Sequence, residues 1–259
     1  MSTNLKDSIR PLVPKSVLDA KRKFHYYFVD EERSVPLDML RFDPRLPFSR
    51  AARKQLADQM EVAHKELRCA HTHAEAVAIV TEILRVPSST PGVVLEAGCF
   101  KGGSTAKISL ATKLIGRKLL VYDSFEGLPD VKDIEKDRFN QGEYTGALDE
   151  VKKNVGAYGA LEVCQFVRGW FDQTMPNLAE PVVVAFVDVD LRGSLETCLT
   201  YIYPKLVPGG TIFSHDGHLP ICVELMKDPN FWKRFNEPAP EFEGLGMRKL
   251  VKIRKPRRG

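Results

Sequence analysis

The stretches "VVLEA" (93–97), "KLLVYD" (118–123) and "VVVAFVDVD" (182–190) constrain the fold more than anything else in the chain. Each is short, rich in β-branched residues and apolar at successive rather than alternate positions. Such a strand needs cover on both faces, the situation of a strand inside a parallel sheet with helices above and below. The segments between them carry helical spacing: about 104–115, 148–159 ("LDEVKKNVGAYG") and 193–203. Strands at 161–167 and 211–214 continue the alternation, followed by a helix over 221–235 and a more alternating strand over 247–253. Two helices, 50–67 and 73–86, precede the first strand, the second with Ala76, Val77, Val80 and Leu84 on one face. This order predicts an α/β fold, a mostly parallel sheet flanked by helices. A chain of 259 residues, 43% hydrophobic, suffices for one such domain with an appendage. The expected boundary is residue 90: a helical, lid-bearing extension over 1–90 and the core over 91–259.

Composition excludes several function classes. The five cysteines, Cys69, Cys99, Cys164, Cys198 and Cys222, are scattered and form no C-x-x-C pair, which argues against a disulfide framework or a cysteine zinc site. No apolar run reaches the ~18 residues of a membrane span. The opening "MSTNLKDSIR" lacks the apolar core of a secretory signal, so a cytoplasmic protein is expected. Net charge is only +4. The basic C-terminus (Lys252, Arg254, Lys255, Arg257, Arg258) has no interleaved aromatics to stack on bases, and reads as a solvated tail rather than a nucleic-acid contact. The basic, partly amphipathic "PLVPKSVLDAKRKFHYYF" (11–28) reads as a segment packing on its own domain or on a second subunit, in keeping with a homodimer.

In an open α/β sheet, ligands bind beyond the carboxyl ends of the strands. Glu96, Asp123, Asp188, Asp190, His215 and Asp216 collect at four such ends. The loop "EAGCFKGGST" (96–105) fails three phosphate or nucleophile patterns: Gly103 stands where a P-loop needs lysine, the dinucleotide G-x-G-x-x-G spacing is broken, and no G-x-S-x-G occurs. S-adenosylmethionine remains as a common ligand of such a corner. Gly98, Gly102, Gly103 and Ser104 form the loop that would approach it. Glu96 suits its ammonium end, and Asp123 suits two ribose hydroxyls.

Four stretches, "LEAGCFKGGST" (95–105), "YDSFEGLPD" (122–130), "VRGWFDQTMP" (167–176) and "DVDLRGSLETCLTYIYPKLVPGG" (188–210) running into "SHD" (214–216), resemble the macrocin-type O-methyltransferases. That family methylates sugar hydroxyls of natural products using S-adenosylmethionine and Mg²⁺. The resemblance implies a Rossmann-like class I methyltransferase core with a seven-stranded sheet. It also implies Ser124 and Phe125 beside the ribose and adenine, Gly169 and Trp170 near the adenine, and a glycoside or sugar as acceptor. The family's acid pattern is Asp-Gly-Asp followed by Asp-Asp; here Asp188-Val189-Asp190 and His215-Asp216 stand instead. On that pattern Asp188 and Asp216 are metal ligands, His215 is a third, and Asp190 is the general base. An imidazole ligand would shift preference from Mg²⁺ toward Mn²⁺ or another softer ion.

Chemistry explains the gathering of acids. An unionised hydroxyl is a poor nucleophile, so a metal ion that lowers its pKa and a carboxylate that takes its proton are both useful. Asp188 and Asp190 would share a face if their strand persists; Asp190 could instead cap the helix near Gly193. His218 reads as a surface residue and Lys101 as solvated. Two rivals stand beside this reading: a metal-dependent hydrolase or oxygenase using "HDGH" with Asp188, and a nonenzymatic binding protein on a methyltransferase scaffold. The stretches 26–37 and 130–149 are expected to be mobile and to close over ligands.

Overall fold

The computed structural model describes residues 34–131 and 135–257. The basic segment 11–28 and residues 26–33 of the first expected lid lie outside them. Helices α1 (Ser34–Phe42), α2 (Arg50–Glu66) and α3 (His73–Leu84) precede β1 (Val93–Ala97). Then come α4 (Gly103–Leu114), β2 (Leu119–Asp123), α5 (Leu148–Tyr158), β3 (Cys164–Arg168), α6 (Phe171–Thr174) and β4 (Val182–Val187). The chain continues through α7 (Arg192–Lys205), β5 (Leu206–Ser214), α8 (Pro220–Lys227), α9 (Pro229–Lys233), β6 (Glu241–Glu243) and β7 (Val251–Arg254). The seven strands form one sheet in the order β3-β2-β1-β4-β5-β7-β6. Strands β1 to β5 pair in parallel, and β7 runs antiparallel to both neighbours. Chain order reverses between β1 and β4, the switch point where such sheets open a crevice.

The two-sided apolar strands are used as expected. Val93, Leu95, Ala97, Leu120 and Tyr122 face one core, completed by Leu195, Leu199 and Ile202 of α7 and by Leu225 and Trp232 of α8 and α9. Val94, Leu119 and Val121 face the other, which includes Leu56 and Met60 of α2, Val80 and Ile83 of α3, and Val151 and Val155 of α5. Helices α1 to α3 therefore cover one face of the sheet within a shared core.

Local chemistry moved several boundaries. Residues 161–163 form a single 3₁₀ turn before β3. Strand β5 starts at Leu206, directly after α7: the Leu206 N–H still donates to the Ile202 and Tyr203 carbonyls while its own backbone is already extended. The expected helix 221–235 breaks at Asp228, whose carboxylate accepts from the Asn230 N–H while Pro229 opens α9. Strand β6 carries one half-buried residue, Phe242, too little to register as a pattern.

The solvated-tail reading of the C-terminus is corrected. Lys252 and Arg254 lie in β7, and both pair with Glu82 of α3 at 2.8 Å. Lys255 is 3% exposed and pairs with Glu237 at 3.2 Å. Antiparallel pairing with β5 draws these residues in, and the neighbouring carboxylates compensate their charge. Lys101 likewise pairs with Glu150 at 2.9 Å.

Glu82 also accepts from the Thr211 hydroxyl at 3.0 Å. Burial would raise its carboxyl, but Lys252, Thr211 and Arg254 outweigh that and hold it below its ordinary 4.5. A depressed acid contributes stability above its unfolded value, and the contribution is lost as pH falls through the folded value. Glu82→Gln is expected to destabilise by about 1.5–3 kcal/mol at pH 7. The gap from wild type in urea melts should shrink as pH drops below 4.5; a gap independent of pH would remove the ion pairs as its cause.

Candidate active site

A cavity of about 560 Å³ opens beyond the carboxyl ends of β1, β2 and β4. Gly98 makes the corner possible. Its φ is +84°, and a Cβ there would stand 2.0 Å from the Asp188 carbonyl oxygen, so the β1 loop and the end of β4 touch backbone to backbone. Gly103 plays a similar part against the α2–α3 connection, where a Cβ would lie 2.8 Å from the Arg68 carbonyl oxygen.

Asp123 ends β2 and ties the corner together. Its carboxylate accepts from the backbone N–H of Cys99 at 2.7 Å and of Phe125 at 2.8 Å. Each oxygen keeps a further lone pair toward the cavity it lines. Of the residues assigned from sequence to the cofactor, Gly98, Gly103, Ser104 and Asp123 line this cavity, as do Ser124, Gly169 and Trp170. Gly102, Phe125 and Glu96 do not. Gly102 precedes α4 at φ +81°, and Phe125 packs into the core on the α2–α5 side. Glu96 is fully buried beneath the first turn of α4. Burial lifts its carboxyl to about 7, with a partial offset from the nearby Ser104 and Thr105 hydroxyls. Neither Glu96 oxygen has a partner of good hydrogen-bond geometry.

The acids at the ends of β4 and β5 are arranged differently from a continued strand. Strand β4 stops at Val187, and Asp190 takes φ +61°. The alternation argument for Asp188 and Asp190 therefore does not apply; the turn brings them together instead. The Asp190 N–H donates to Asp216 at 3.0 Å, and the Ser214 hydroxyl to the other Asp216 oxygen at 3.2 Å. Nor does Asp190 cap the following helix. Glu135 does so, accepting from the Arg192 N–H at 2.9 Å. Glu135 lies in the stretch 130–149 expected to be mobile; within it, Val131 and Phe139 pack in the core.

Asp188 sits between two imidazoles. His71 Nε2 lies 3.0 Å from one oxygen and His215 Nδ1 3.1 Å from the other. Burial alone would raise the Asp188 carboxyl; the two rings outweigh it and hold it well below the ordinary value. Burial and then the Asp188 charge push Asp190 up to about 7. Burial, Asp188 and Asp190 together push Asp216 to about 8. The far nitrogens of both rings are also held. His71 Nδ1 is 3.0 Å from the Cys69 sulfur, which Lys107 Nζ approaches to 3.2 Å. His215 Nε2 is 3.4 Å from Glu75, within ion-pair reach though short of hydrogen-bond geometry. His218, exposed, donates from Nδ1 to the His215 carbonyl at 3.2 Å.

The donor set fits a divalent cation. Among the described residues two groups converge, each with ligand atoms within 4.8 Å of one another: Asp188, Asp190 and Asp216, and His71, Asp188 and His215. The first offers hard oxygens, the second imidazole nitrogens with one oxygen. The set assigned from sequence, Asp188, His215 and Asp216, is divided between them. Negative charge crowded enough to raise Asp190 and Asp216 is the condition a bound cation relieves.

A family model, Macrocin-O-methyltransferase (TylF), matches residues 28–247. The chain belongs to this family. It is 34% identical over 152 residues to the mycinamicin III 3''-O-methyltransferase of Micromonospora griseorubida, covering 53% of this chain and 60% of that protein. It is 29% identical over 170 residues to the 8-demethyl-8-(2,3-dimethoxy-alpha-L-rhamnosyl)-tetracenomycin-C 4'-O-methyltransferase of Streptomyces olivaceus, covering 61% and 65%. The alignments thus span somewhat less than two thirds of these relatives. Among solved structures, the O-methyltransferase NovP superposes over 87% of this chain and 98% of its own, with a TM-score of 0.62 and 23% identity, a likeness of fold. The class I methyltransferase architecture is thereby shown.

Sequence reasoning missed Cys69, His71, Glu75 and Glu135. The run "CAHTH" (69–73) packs three ligand-type side chains into five residues, a legible signal, but nothing local says they face the end of β4. Gly98→Ala should cost at least the ~1–3 kcal/mol of a forced left-handed residue and displace Asp188. A denaturant melt indistinguishable from wild type would contradict the close approach.

Proposed function

We propose that the protein is an S-adenosylmethionine-dependent O-methyltransferase that methylates, with a divalent ion, a hydroxyl of a sugar or other polyol-bearing natural product. The observation that carries this reading is the meeting of Asp123 with Asp188 and Asp190 on one cavity. Asp123 suits a diol, and the acids at the end of β4 suit proton removal. Family membership supports the reaction class, and the Streptomyces olivaceus relative, whose name carries a rhamnosyl-bearing substrate, supports a glycoside acceptor. A hydrolase or oxygenase would need no diol-binding carboxylate at the cavity, where Asp123 stands.

When bound, the cofactor would supply an electrophilic sulfonium methyl, and an ion held at Asp188 with His215 beside it would lower the acceptor hydroxyl's pKa. The chain's own groups do the rest. Gly98 and Gly103 let the β1 loop seat directly against the Asp188 and Arg68 backbone, which shapes the corner, and Asp123 has lone pairs for two hydroxyls. Leu128, Trp170 and Phe171 give the cavity an apolar wall that excludes water. Asp190, on the same cavity two residues from Asp188, is placed to accept the hydroxyl's proton. Asp188, held ionised by His71 and His215, stabilises Asp190 once it carries that proton.

Screening glycosides with labelled S-adenosylmethionine tests the reaction, and no methyl transfer to any hydroxyl compound would count against it. Asp190→Asn is expected to lower kcat by ~10²–10⁴, the usual contribution of a positioned base, with cofactor affinity unchanged. An equal loss of cofactor affinity would remove it from the base role. Asp123→Ala should weaken binding of the demethylated cofactor by about 1.5–3 kcal/mol per lost bond. It should also lower the melting temperature, because the Cys99 and Phe125 N–H groups lose their acceptor. Unchanged calorimetric affinity would exclude Asp123 from the cofactor site.

A further inference from the structure

The imidazole side of Asp188 is more elaborate than holding one carboxylate requires. His71 Nε2 and His215 Nδ1 each lie about one ligand-to-ligand distance from a different Asp188 oxygen, at 3.0 and 3.1 Å. Bonds of about 2.0–2.1 Å to a single first-row ion separate neighbouring ligand atoms by roughly 3.0–3.4 Å. The two rings stand 4.3 Å apart, centroid to centroid, at 63°. Each ring's remote nitrogen faces a partner able to accept from it: the Cys69 sulfur at 3.0 Å and the Glu75 carboxylate at 3.4 Å. A carboxylate or comparable acceptor behind the second nitrogen is the usual support of a metal-bound histidine, fixing tautomer and ring orientation. Glu75 is itself fixed, because its other oxygen closes the capping box of α3 on the Thr72 N–H at 2.8 Å. The histidine side chains are 6% and 1% exposed, and Asp188 and His71 line the cavity, which gives an ion a way in.

We propose that His71, Asp188 and His215 form a two-imidazole, one-carboxylate site for a borderline transition-metal ion of the Zn²⁺ or Co²⁺ class. His71 is the residue that makes it a site of its own, since no motif in the chain points to it. The catalytic use of this ion rests on the function proposed above; the binding site does not. Asp188 belongs to both converging groups, so an ion on its imidazole side leaves Asp190 and Asp216 without a metal bond. Imidazole donors disfavour Mg²⁺, which selects oxygen ligands.

The test uses the full chain stripped with chelator, dialysed, and titrated separately with Zn²⁺, Co²⁺ and Mg²⁺ by calorimetry. One Zn²⁺ per chain is expected, bound at least ~10²-fold tighter than Mg²⁺. The Co²⁺ form should show visible d–d absorption that changes in His71→Ala. Glu75→Gln preserves the capping box and should weaken Zn²⁺ by about 10- to 100-fold, the effect of losing a supporting partner. Because His71→Ala could unfold the chain, anomalous scattering at the zinc edge from wild-type crystals supplies a direct reading, with the peak expected between the two rings and Asp188. A peak among Asp188, Asp190 and Asp216, or Mg²⁺ binding as tight as Zn²⁺, would overturn the proposal. So would Zn²⁺ affinity untouched by both His71→Ala and Glu75→Gln. Titrating the same samples with the demethylated cofactor separates the two readings: Zn²⁺ binding without cofactor binding sinks the methyltransferase reading alone, and the reverse sinks the metal site alone.

Discussion

The end of β4 is where the structure commits itself. Asp188 N–H donates to the Ala97 carbonyl at 3.0 Å, and its own carbonyl presses against Gly98, while its carboxylate is shared between rings from two other parts of the chain. One residue thus fixes the spacing of β1 from β4, the turn that carries Asp190, and the approach of the α2–α3 connection. Its carboxylate is partly buried and nevertheless ionised, which is tolerable only because two N–H donors meet it. Remove either ring, and a charge remains in a low-dielectric pocket with half its compensation.

That arrangement sets the electrostatics of the neighbouring acids. A permanently ionised Asp188 makes a second and third charge nearby expensive, so Asp190 and Asp216 move upward together, to about 7 and about 8. Similar carboxylates a few ångströms apart acquire different roles from their surroundings alone: one a fixed charge, one poised near neutrality. Separation of this kind is how acid and base functions are commonly divided within a site. Here the positive partners responsible come from α3's approach and from the end of β5, not from the acid cluster itself.

The sheet was readable because its strands are apolar on both faces, a demand that few architectures meet. Asp123, Asp188 and Asp216 were readable because ligands gather at strand ends, a property of topology. Positions such as Leu206, where a strand begins without a break after a helix, were not, since one residue closes the last turn of α7 and opens β5 with no turn residue between them. His71 and Glu75 were invisible for a different reason. Their roles depend on contacts more than one hundred residues along the chain, His71 with Asp188, 117 positions away, and Glu75 with His215. Sequence spacing describes faces of one element; it does not describe which loop another element will meet.

A boundary at residue 90 therefore divides the chain by pattern but not by chemistry. The connection between α2 and α3 brings Arg68, Cys69, Ala70 and His71 to the cavity wall. The capping box that begins α3 then aims Glu75 at His215. Capping a helix and orienting an imidazole are satisfied by the two oxygens of one carboxylate, so the stability of α3 and the geometry of the site are coupled through a single side chain. At the opposite end of the same helix, Glu82 anchors β7 through Lys252 and Arg254. Helix α3 is thus clamped at both ends by acids that serve the sheet. A helix held in this way cannot shift along its axis without breaking either the pairs at β7 or the support behind His215, which keeps the two rings in register with Asp188.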